Sequence, residues 1–202
     1  MSDNYRNNCY KKILDASSVY DIAIKSPMQF APKLSSKLKN KIYIKREDLQ
    51  PVFSFKLRGA YNKISKIKNP KHIVAASAGN HAQGVAMTCK KLKIPSSIVM
   101  PSTTPSIKVN AVKKYGSKVI LFGDTYDEAY QYAIKFSKKN SFNFVHPYDD
   151  IDVIAGQGTI GIEILEQLKD HPDYIFIPVG GGGLLAGISV YLKTINPKIK
   201  IV

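Results

Sequence analysis

The sequence predicts an α/β fold in which helices cover both faces of a parallel sheet. Two observations lead to this prediction. Short β-branched runs alternate with helical stretches along the chain, and several of those runs are apolar on both faces. Alternation of strands and helices is typical of βαβ units. Continuous apolar runs fit strands that are buried on both faces.

Seven short runs are predicted strands. They lie at residues 41–47, 72–77, 96–101, 117–123, 143–147, 173–179 and 198–202. The run at 198–202 has no loop after it, although loops at the carboxyl edge of a parallel sheet usually carry function. We therefore expect the last domain to be incomplete.

Three stretches between these strands are predicted helices, at 80–92, 124–140 and 156–168. The second has the clearest ends. Thr125 and Glu128 have the spacing of a capping box, and the lysines of its last turn suit the negative end of the helix dipole.

Composition limits the class of protein. The chain has 202 residues, of which 44% are hydrophobic, so a packed core is expected. No run approaches the ~20 apolar residues of a membrane helix, and the N-terminus has no apolar signal core. We therefore predict a cytoplasmic protein with no membrane partner. Cys9 and Cys89 lie far apart without a C-x-x-C motif, so neither a disulfide framework nor a metal site is predicted.

The net charge of +15 raises the question of a polyanionic partner. The lysines, however, are spread along the chain, and Arg6, Arg46 and Arg58 are the only arginines. Arginine is the usual side chain for reading bases and holding phosphates, and no aromatic-rich basic stretch is present. We therefore predict no nucleic-acid partner.

A glycine run is the first candidate for chemistry. In residues 174–192, "YIFIPVGGGGLLAGISVYL", an apolar strand leads through four glycines into an apolar helix. Glycines let backbone N–H groups converge on an anion, and a helix N-terminus adds positive potential, so the stretch predicts a phosphate site. Two alternatives remain: Gly181, Gly183 and Ala186 also fit a dinucleotide fingerprint, and a tight turn with close packing needs no ligand.

A small-residue turn is the second candidate. In residues 75–86, "AASAGNHAQGVA", a strand again meets a turn and then a helix. Ser77, Asn80 and His81 lie at the carboxyl end of that strand, where α/β proteins place ligands, and the N–H groups of the turn could hold a carboxylate. Helix capping by Ser77 or Asn80 explains much of the same pattern without a ligand.

The third candidate is "VFSFKLRGAY", residues 52–61, in which Phe53, Phe55 and Leu57 flank Lys56. Apolar neighbours penalise an ammonium and lower the pKa of a lysine, which makes the amine a nucleophile toward carbonyl groups. Local sequence alone favours the simpler interpretation, an amphipathic helix whose lysine extends to water.

Taken together and in this order, these stretches resemble the pyridoxal-phosphate β-elimination enzymes of the tryptophan-synthase-β-like fold, also called fold type II. The similarity is closest to the biosynthetic type of threonine dehydratase (threonine ammonia-lyase). The segments that carry it are residues 45–61, 76–86, 99–112, 155–164 and 178–188. Each is moderately specific alone, whereas the ordered set is highly specific.

The resemblance implies a two-domain α/β architecture with parallel or mixed sheets flanked by helices. Residues 1–52 and 148–202 would form part of a large cofactor-binding domain, and residues 53–147 a small α/β domain. The family's catalytic region extends further, includes the residue that faces the pyridine nitrogen, and is followed in biosynthetic members by a regulatory domain. We therefore expect a C-terminally truncated chain that by itself binds the cofactor weakly and shows little or no activity.

The resemblance also implies a cofactor, pyridoxal 5′-phosphate, and the residues that bind it. Lys56 would be the catalytic residue that forms a Schiff base with the cofactor, and Asn80 would bind the hydroxyl of its ring. The backbone around its phosphate would be that of Gly180, Gly181, Gly182, Gly183 and Leu184.

Around the substrate carboxylate the resemblance places Ser77, Gly79 and His81. The implied reaction is deamination of L-threonine to 2-oxobutanoate and ammonia, the first step of isoleucine biosynthesis, with L-serine as a second candidate substrate. A homo-oligomer is implied, since full-length relatives are tetramers. The alternatives are a catabolic threonine/serine dehydratase, a relative of serine racemase, and an inactive truncated remnant. Related racemases have a second serine where this chain has Ala78, which favours elimination.

Overall fold

A computed structural model describes residues 3–202, which form eight α-helices and eight short strands. The helices are α1 (Asp3–Leu14), α2 (Pro32–Leu38), α3 (Lys56–Ile64), α4 (Asn80–Leu92), α5 (Ser106–Lys113), α6 (Tyr126–Lys139), α7 (Ile151–Gln167) and α8 (Gly183–Ile195). The strands are β1 (Met28–Phe30), β2 (Tyr43–Lys45), β3 (Ile73–Ala76), β4 (Ser96–Met100), β5 (Lys118–Leu121), β6 (Asn143–Phe144), β7 (Tyr174–Ile175) and β8 (Lys200–Ile201). Two 3₁₀ helices lie at Ser17–Asp21 and Glu47–Leu49.

The main sheet has four parallel strands in the order β5-β4-β3-β6. Every residue of β3 and β4 is buried, as the continuous apolar runs predicted. Helix α4 packs on one hydrophobic cluster of this sheet and α6 on another. The predicted α/β fold with a parallel sheet covered by helices is therefore confirmed.

Two smaller sheets complete the structure. Strands β1 and β2 pair antiparallel, and β7 and β8 pair parallel. The strands are shorter than predicted, and the run at 173–179 contributes only Tyr174 and Ile175 to a strand. β1 was not predicted, because three residues carry too little periodicity to be recognised.

The predicted ends of the helices agree with the observed ends to different degrees. Helix α4 has the predicted bounds. In α6 the capping box is present: Thr125 Oγ1 accepts from Glu128 N–H, and the Glu128 carboxylate accepts from Thr125 N–H at 3.0 Å. Helix α7 begins at Ile151 rather than at the predicted residue 156, because Asp150 caps it by accepting from the N–H groups of the first turn.

Glycines bring α3, α7 and α8 into close contact. A methyl group added at Gly156 of α7 would lie 2.6 Å from the carbonyl oxygen of Arg58 in α3, and one at Gly187 of α8 would lie 2.4 Å from that of Ile154 in α7. Backbones this close leave no room for a side chain. The two contacts hold the helix that begins with Lys56 against α7, and α7 against the helix that follows the glycine run.

Among residues 3–202, no helix combines the length and the apolar character that are needed to cross a membrane.

Candidate active site

Lys56 is the first residue of α3, and its side chain is half-buried. Its Nζ donates a hydrogen bond of 2.7 Å to the carbonyl oxygen of Pro147 and lies 5.5 Å from the centre of the Phe55 ring. Burial lowers the pKa of Lys56 below that of an ordinary lysine. The positive end of the α3 dipole also disfavours an ammonium there. Lys56 is therefore placed as an amine that loses its proton more readily than a surface lysine does.

The turn before α3 explains how Lys56 reaches this position. Phe53 has a φ of 56°, in the left-handed region that bulky residues rarely adopt. Its N–H donates to the carbonyl oxygen of Gln50 at 2.7 Å, and Ser54 Oγ accepts from Lys56 N–H at 3.3 Å. The Phe53 side chain is 77% exposed, so it adds little shielding. Of the two flanking phenylalanines, only Phe55 lies with its ring near the amine.

A segment of four residues, 145–148, joins the predicted motifs, and we call it the linking segment. The carbonyl oxygen of Val145 accepts from His81 Nε2 at 3.1 Å, and that of Pro147 accepts from Lys56. The charge of Lys56 also contributes to lowering the pKa of His81. The second and third candidate stretches therefore meet at one site.

The same segment reaches the glycine run through Tyr148. A methyl group added at Gly181 would lie 2.2 Å from ring carbons of Tyr148, and one at Gly183 would lie 2.8 Å from its carbonyl oxygen. At Gly180 and Gly182, by contrast, an added methyl group would meet nothing within 4 Å. The glycine run thus packs on Tyr148 and is open on its other side.

The backbone of the glycine run has the form of an anion cradle. Gly182 has a φ of 85°, which glycine adopts without strain, and α8 begins at Gly183. The first N–H groups of a helix have no partner within it, so those of Gly183 and Leu184 belong to the unpaired first turn. The Leu184 side chain packs in the apolar cluster between α7 and α8, which fixes this turn.

The N-terminal half of α4 lies beside the first turn of α3. A methyl group added at Gly84 would lie 3.1 Å from the carbonyl oxygen of Lys56. Asn80 begins α4 and is exposed, and Ser77 Oγ accepts from Gly79 N–H at 3.1 Å. The structure thus places Ser77, Gly79 and Asn80 at a helix N-terminus next to the helix of Lys56.

His81 is neutral in this structure. It is 3% exposed, and burial is the main cause that lowers its pKa to about 3. Because a carbonyl oxygen can only accept, Nε2 carries the proton that is donated to Val145 and Nδ1 is unprotonated. Within residues 3–202, Nδ1 has no hydrogen-bond partner. The imidazole of His81 therefore does not offer a positive charge to a carboxylate, although its backbone N–H remains a donor.

His146 and Tyr148 were missed by the sequence interpretation. His146 Nδ1 accepts from the N–H groups of Asp149 at 2.7 Å and of Tyr148 at 3.3 Å, so its proton is on Nε2. Burial lowers the pKa of His146, and the charge of Lys56 adds to this effect. A signal existed, because residues 143–147 were predicted as a strand and polar residues at its carboxyl end are candidates for a site.

The chain was compared with known protein families and structures. The family described as "Pyridoxal-phosphate dependent enzyme" matches residues 19–202. The chain belongs to this family. The predicted cofactor and the type II fold are confirmed by this match and by the structural comparison below, and the dinucleotide alternative for the glycine run is not supported.

Three proteins show how far the similarity extends. The biosynthetic chloroplastic threonine dehydratase 1 of Solanum lycopersicum is 54% identical over 190 residues, which are 93% of this chain and 31% of that protein. The structure of the processed form of threonine deaminase isoform 2 from the same species has a TM-score of 0.94 and 50% identity, covering 100% of this chain and 56% of that one. Serine racemase from Dictyostelium discoideum has a TM-score of 0.88 and 34% identity, with 95% and 64% covered. The chain spans about a third of the length of the curated relatives that it matches.

The residues of the site fit pyridoxal phosphate. Lys56 offers an amine of lowered pKa for the aldehyde, and the open side of Gly180 and Gly182 leaves room beside backbone donors for a phosphate. Asn80 offers an exposed amide at the N-terminus of the neighbouring helix. An aldehyde-reactive amine, an anion cradle and a neutral polar side chain are the groups that this cofactor needs.

Proposed function

We propose that this protein catalyses the pyridoxal-phosphate-dependent deamination of L-threonine to 2-oxobutanoate and ammonia, as the first step of isoleucine biosynthesis. The observation that carries the proposal is the half-buried amine of Lys56, which the linking segment connects to both His81 and the glycine run. The names of the similar tomato proteins, a threonine dehydratase and a threonine deaminase, support threonine as the substrate.

Under this proposal the cofactor is held by Lys56, by the Asn80 amide at its ring hydroxyl, and by the backbone from Gly180 to Leu184 at its phosphate. Pyridoxal phosphate, when bound, supplies an aldehyde that captures the substrate amine and a ring that withdraws electrons from the α-carbon. Packing of Gly181 on Tyr148 gives the cradle a fixed wall, so its donors are arranged before the phosphate arrives.

The substrate carboxylate is assigned to the N-terminus of α4. Ser77 Oγ and the backbone N–H groups of Asn80 and His81 supply donors, Gly79 forms the turn between them, and the helix dipole favours a negative charge there. Because the His81 imidazole is neutral, its contribution to this site is the backbone N–H and the shape of the pocket wall.

Lys56 is assigned the proton transfer at the α-carbon. A neutral amine is a competent base at neutral pH only when its pKa is lowered, as burial does here. Loss of the α-proton and of the β-hydroxyl removes one water from threonine. Uptake of one water by the resulting imine then releases ammonia and 2-oxobutanoate, so the atoms balance.

The proposal is tested with the purified chain, pyridoxal phosphate and L-threonine. We expect a visible absorption band of bound cofactor in the parent protein and none in Lys56→Ala. Formation of 2-oxobutanoate is then measured with threonine and with serine. A chain that gives no Lys56-dependent band refutes the proposal. A band without turnover supports the alternative of an inactive truncated chain.

The racemase alternative has a specific observation in its favour, the 34% identity to a serine racemase. Against it, the side chain of Ala78 is a methyl group, which has no proton to deliver to the second face of a substrate. We expect no D-amino acid in the product mixture. Detection of D-serine or D-allothreonine by chiral chromatography would replace the dehydratase proposal with that of a racemase.

The division into a large part, residues 1–52 and 148–202, and a small domain, residues 53–147, is also proposed. It is supported by the separate four-stranded sheet, whose strands all lie between residues 73 and 144. Limited proteolysis is expected to cut first near residues 52 and 148, and early cleavage inside the sheet would contradict the division.

Location and assembly are proposals as well. We propose a cytoplasmic homo-oligomer, although the tomato relative is named as chloroplastic. Fractionation of cells with an antibody against the chain tests the first, and light scattering on the purified protein tests the second.

A further inference from the structure

A buried ion network surrounds Arg58, two residues after Lys56 in α3. The Arg58 side chain is fully buried. Its guanidinium donates to Glu47 at 2.8 and 2.9 Å, to Glu163 at 2.5 and 3.1 Å, to Thr159 Oγ1 at 3.1 Å and to the carbonyl oxygen of Ile24 at 3.1 Å. Every one of its side-chain nitrogens is therefore engaged.

The charges of the network balance. Lys45 Nζ lies 2.5 Å from Glu163, so two cations face two carboxylates, and Tyr20 donates its hydroxyl proton to Glu163 at 2.7 Å. Burial alone would raise the pKa of Glu163, but Arg58 and Lys45 hold it below the ordinary value. The pair of Arg58 and Glu163 is thus ionised at neutral pH without an unpaired buried charge.

The partners of Arg58 come from three parts of the chain outside α3. Ile24 lies after the first 3₁₀ helix, Glu47 begins the second, and Thr159 and Glu163 lie on α7. Arg58 itself belongs to the first turn of α3, since its N–H donates to the carbonyl oxygen of Phe55 at 3.0 Å. The side chain therefore ties the turn that carries Lys56 to α7 and to the N-terminal segments.

The network and the linking segment hold α3 from two directions. On one side, Arg58 and the close contact with Gly156 fix the backbone of the first turn against α7. On the other side, Lys56 Nζ extends to Pro147. A shift of the first turn relative to α7 would therefore move the amine relative to the linking segment and the glycine run.

We infer that Arg58 is a positioning residue for Lys56: its fork to Glu47 and Glu163 sets the placement of the first turn of α3 and hence of the amine. A lysine at this position keeps the charge but has no planar fork to satisfy two carboxylates at once. The catalytic meaning of this inference rests on the proposed function, whereas the placement of the amine does not.

The first readout needs no cofactor. The apo protein is acetylated competitively across a pH series, and the labelling of Lys56 is followed by mass spectrometry. The labelling midpoint is the pH at which a lysine is acetylated at half its maximal rate. In the parent protein we expect the midpoint of Lys56 to lie below that of the surface lysines. In Arg58→Lys the first turn loosens and the amine gains water, so we expect the midpoint to rise by about half a pH unit or more.

Matched controls separate placement from loss of stability. Thr88 is a fully buried threonine of α4 whose Oγ1 has no hydrogen-bond partner within residues 3–202, so Thr88→Val removes no bond. Ile64→Val weakens the core face of α3 without touching the network. Both controls are expected to keep the parent midpoint, with urea unfolding showing how stable each variant is.

The second readout is the rate at which the visible band of bound pyridoxal phosphate appears, together with the sign and intensity of its circular dichroism. Misplacement of a reacting group by about 1 Å can cost as much as a hundredfold in rate, so we expect the band to form about tenfold more slowly in Arg58→Lys. A changed dichroism of the band would report a changed orientation, which lower stability alone does not produce.

The labelling midpoint of Lys56 in a folded variant decides the inference. A folded Arg58→Lys protein with the parent labelling midpoint overturns it. If that variant does not fold, Glu47→Gln decides, because it removes the charge of one carboxylate of the fork and leaves the other, Glu163, in place. A Glu47→Gln midpoint equal to that of Thr88→Val then overturns the inference, and a raised midpoint supports it. Failure of the parent protein to deaminate threonine would count against the proposed function and leave this comparison unchanged.

Discussion

Lys56 donates a hydrogen bond of 2.7 Å to the carbonyl oxygen of Pro147, which lies 91 positions later in the chain. A backbone carbonyl accepts this bond but carries no charge that would hold the lysine protonated. Burial lowers its pKa, and within residues 3–202 no carboxylate opposes this shift. The bond thus orients the amine and leaves it free to lose its proton.

Two replacements of Lys56 distinguish the role of its positive charge from that of its reactive amine. Lys56→Arg keeps a positive charge but has no amine that can react with an aldehyde, and Lys56→Ala removes both. We expect either change to abolish the band of bound cofactor and to lower any threonine turnover by about 10³-fold or more, the range expected for loss of a proton-transfer group. Lys63→Ala, which alters a lysine in the last turn of the same helix, is the control and should keep the band.

Lys56 also makes a prediction about pH and stability. Its folded pKa is lowered relative to the unfolded chain, so the folded state binds its proton less well. Protonation therefore costs stability below the folded pKa, and the cost disappears as pH rises toward about 10.4, the pKa of an unfolded lysine. We expect Lys56→Met to be more stable than the parent at pH 7, with a smaller difference at pH 10. Urea unfolding at the two pH values measures it, and a constant difference would contradict the lowered pKa.

His81 predicts a loss of stability in acid. Its pKa falls from 6.5 to about 3 on folding, because it is buried and neutral. The unfolded chain binds the proton first, so stability decreases as pH falls from 6.5 toward 3, by a total on the order of 5 kcal/mol. In His81→Gln, which keeps an amide donor for Val145, this part of the acid dependence should vanish. Unfolding curves between pH 7 and pH 4 test it; unchanged dependence would show that other groups cause it.

The glycine run predicts a contrast between neighbours. A methyl group at Gly181 would meet the Tyr148 ring at 2.2 Å, whereas one at Gly180 would meet nothing within 4 Å. We expect Gly181→Ala to cost about 1–3 kcal/mol of stability through overpacking and to weaken cofactor binding, and Gly180→Ala to change stability by less than about 0.5 kcal/mol. Adding Tyr148→Ala to Gly181→Ala should recover part of the loss, and no recovery would mean that the contact is not the cause. Thermal unfolding and a titration with pyridoxal phosphate measure both effects.

Much of the fold could be predicted because the central strands of the main sheet are buried on both faces. Strand β3 is apolar throughout and β4 ends in three apolar residues, so their sequences stand out, and α4 follows a turn whose residues mark its start. The early start of α7 was missed because the cap at Asp150 lies before the helical periodicity becomes visible. The three residues of β1 show too little periodicity to be recognised as a strand.

The site could be predicted only in part, for a similar reason. Lys56 has apolar neighbours in sequence, but its exposed neighbour Phe53 does not bury it, and the carbonyl group that holds it belongs to Pro147. His146 and Tyr148 belong to the site because of contacts between segments that are distant in sequence, and local patterns do not reveal such contacts. The contacts of Arg58 could not be predicted from its neighbours in sequence either, since its partners lie between 11 and 105 positions away.

The network around Arg58 predicts a coupling between Lys45 and Glu163, whose charges lie 2.5 Å apart. Glu163→Gln leaves two cations facing one carboxylate in a buried place, and breaking such a network costs about 3–5 kcal/mol. Lys45→Met alone leaves Glu163 with Arg58 as its one cationic partner, which costs less. In the double variant Arg58 and Glu47 remain, so charge balance returns and the double variant should lose less stability than the sum of the two single losses. A double-mutant cycle in urea measures this coupling. Strict additivity would show that Glu163 is held by Arg58 alone and that Lys45 contributes no charge compensation.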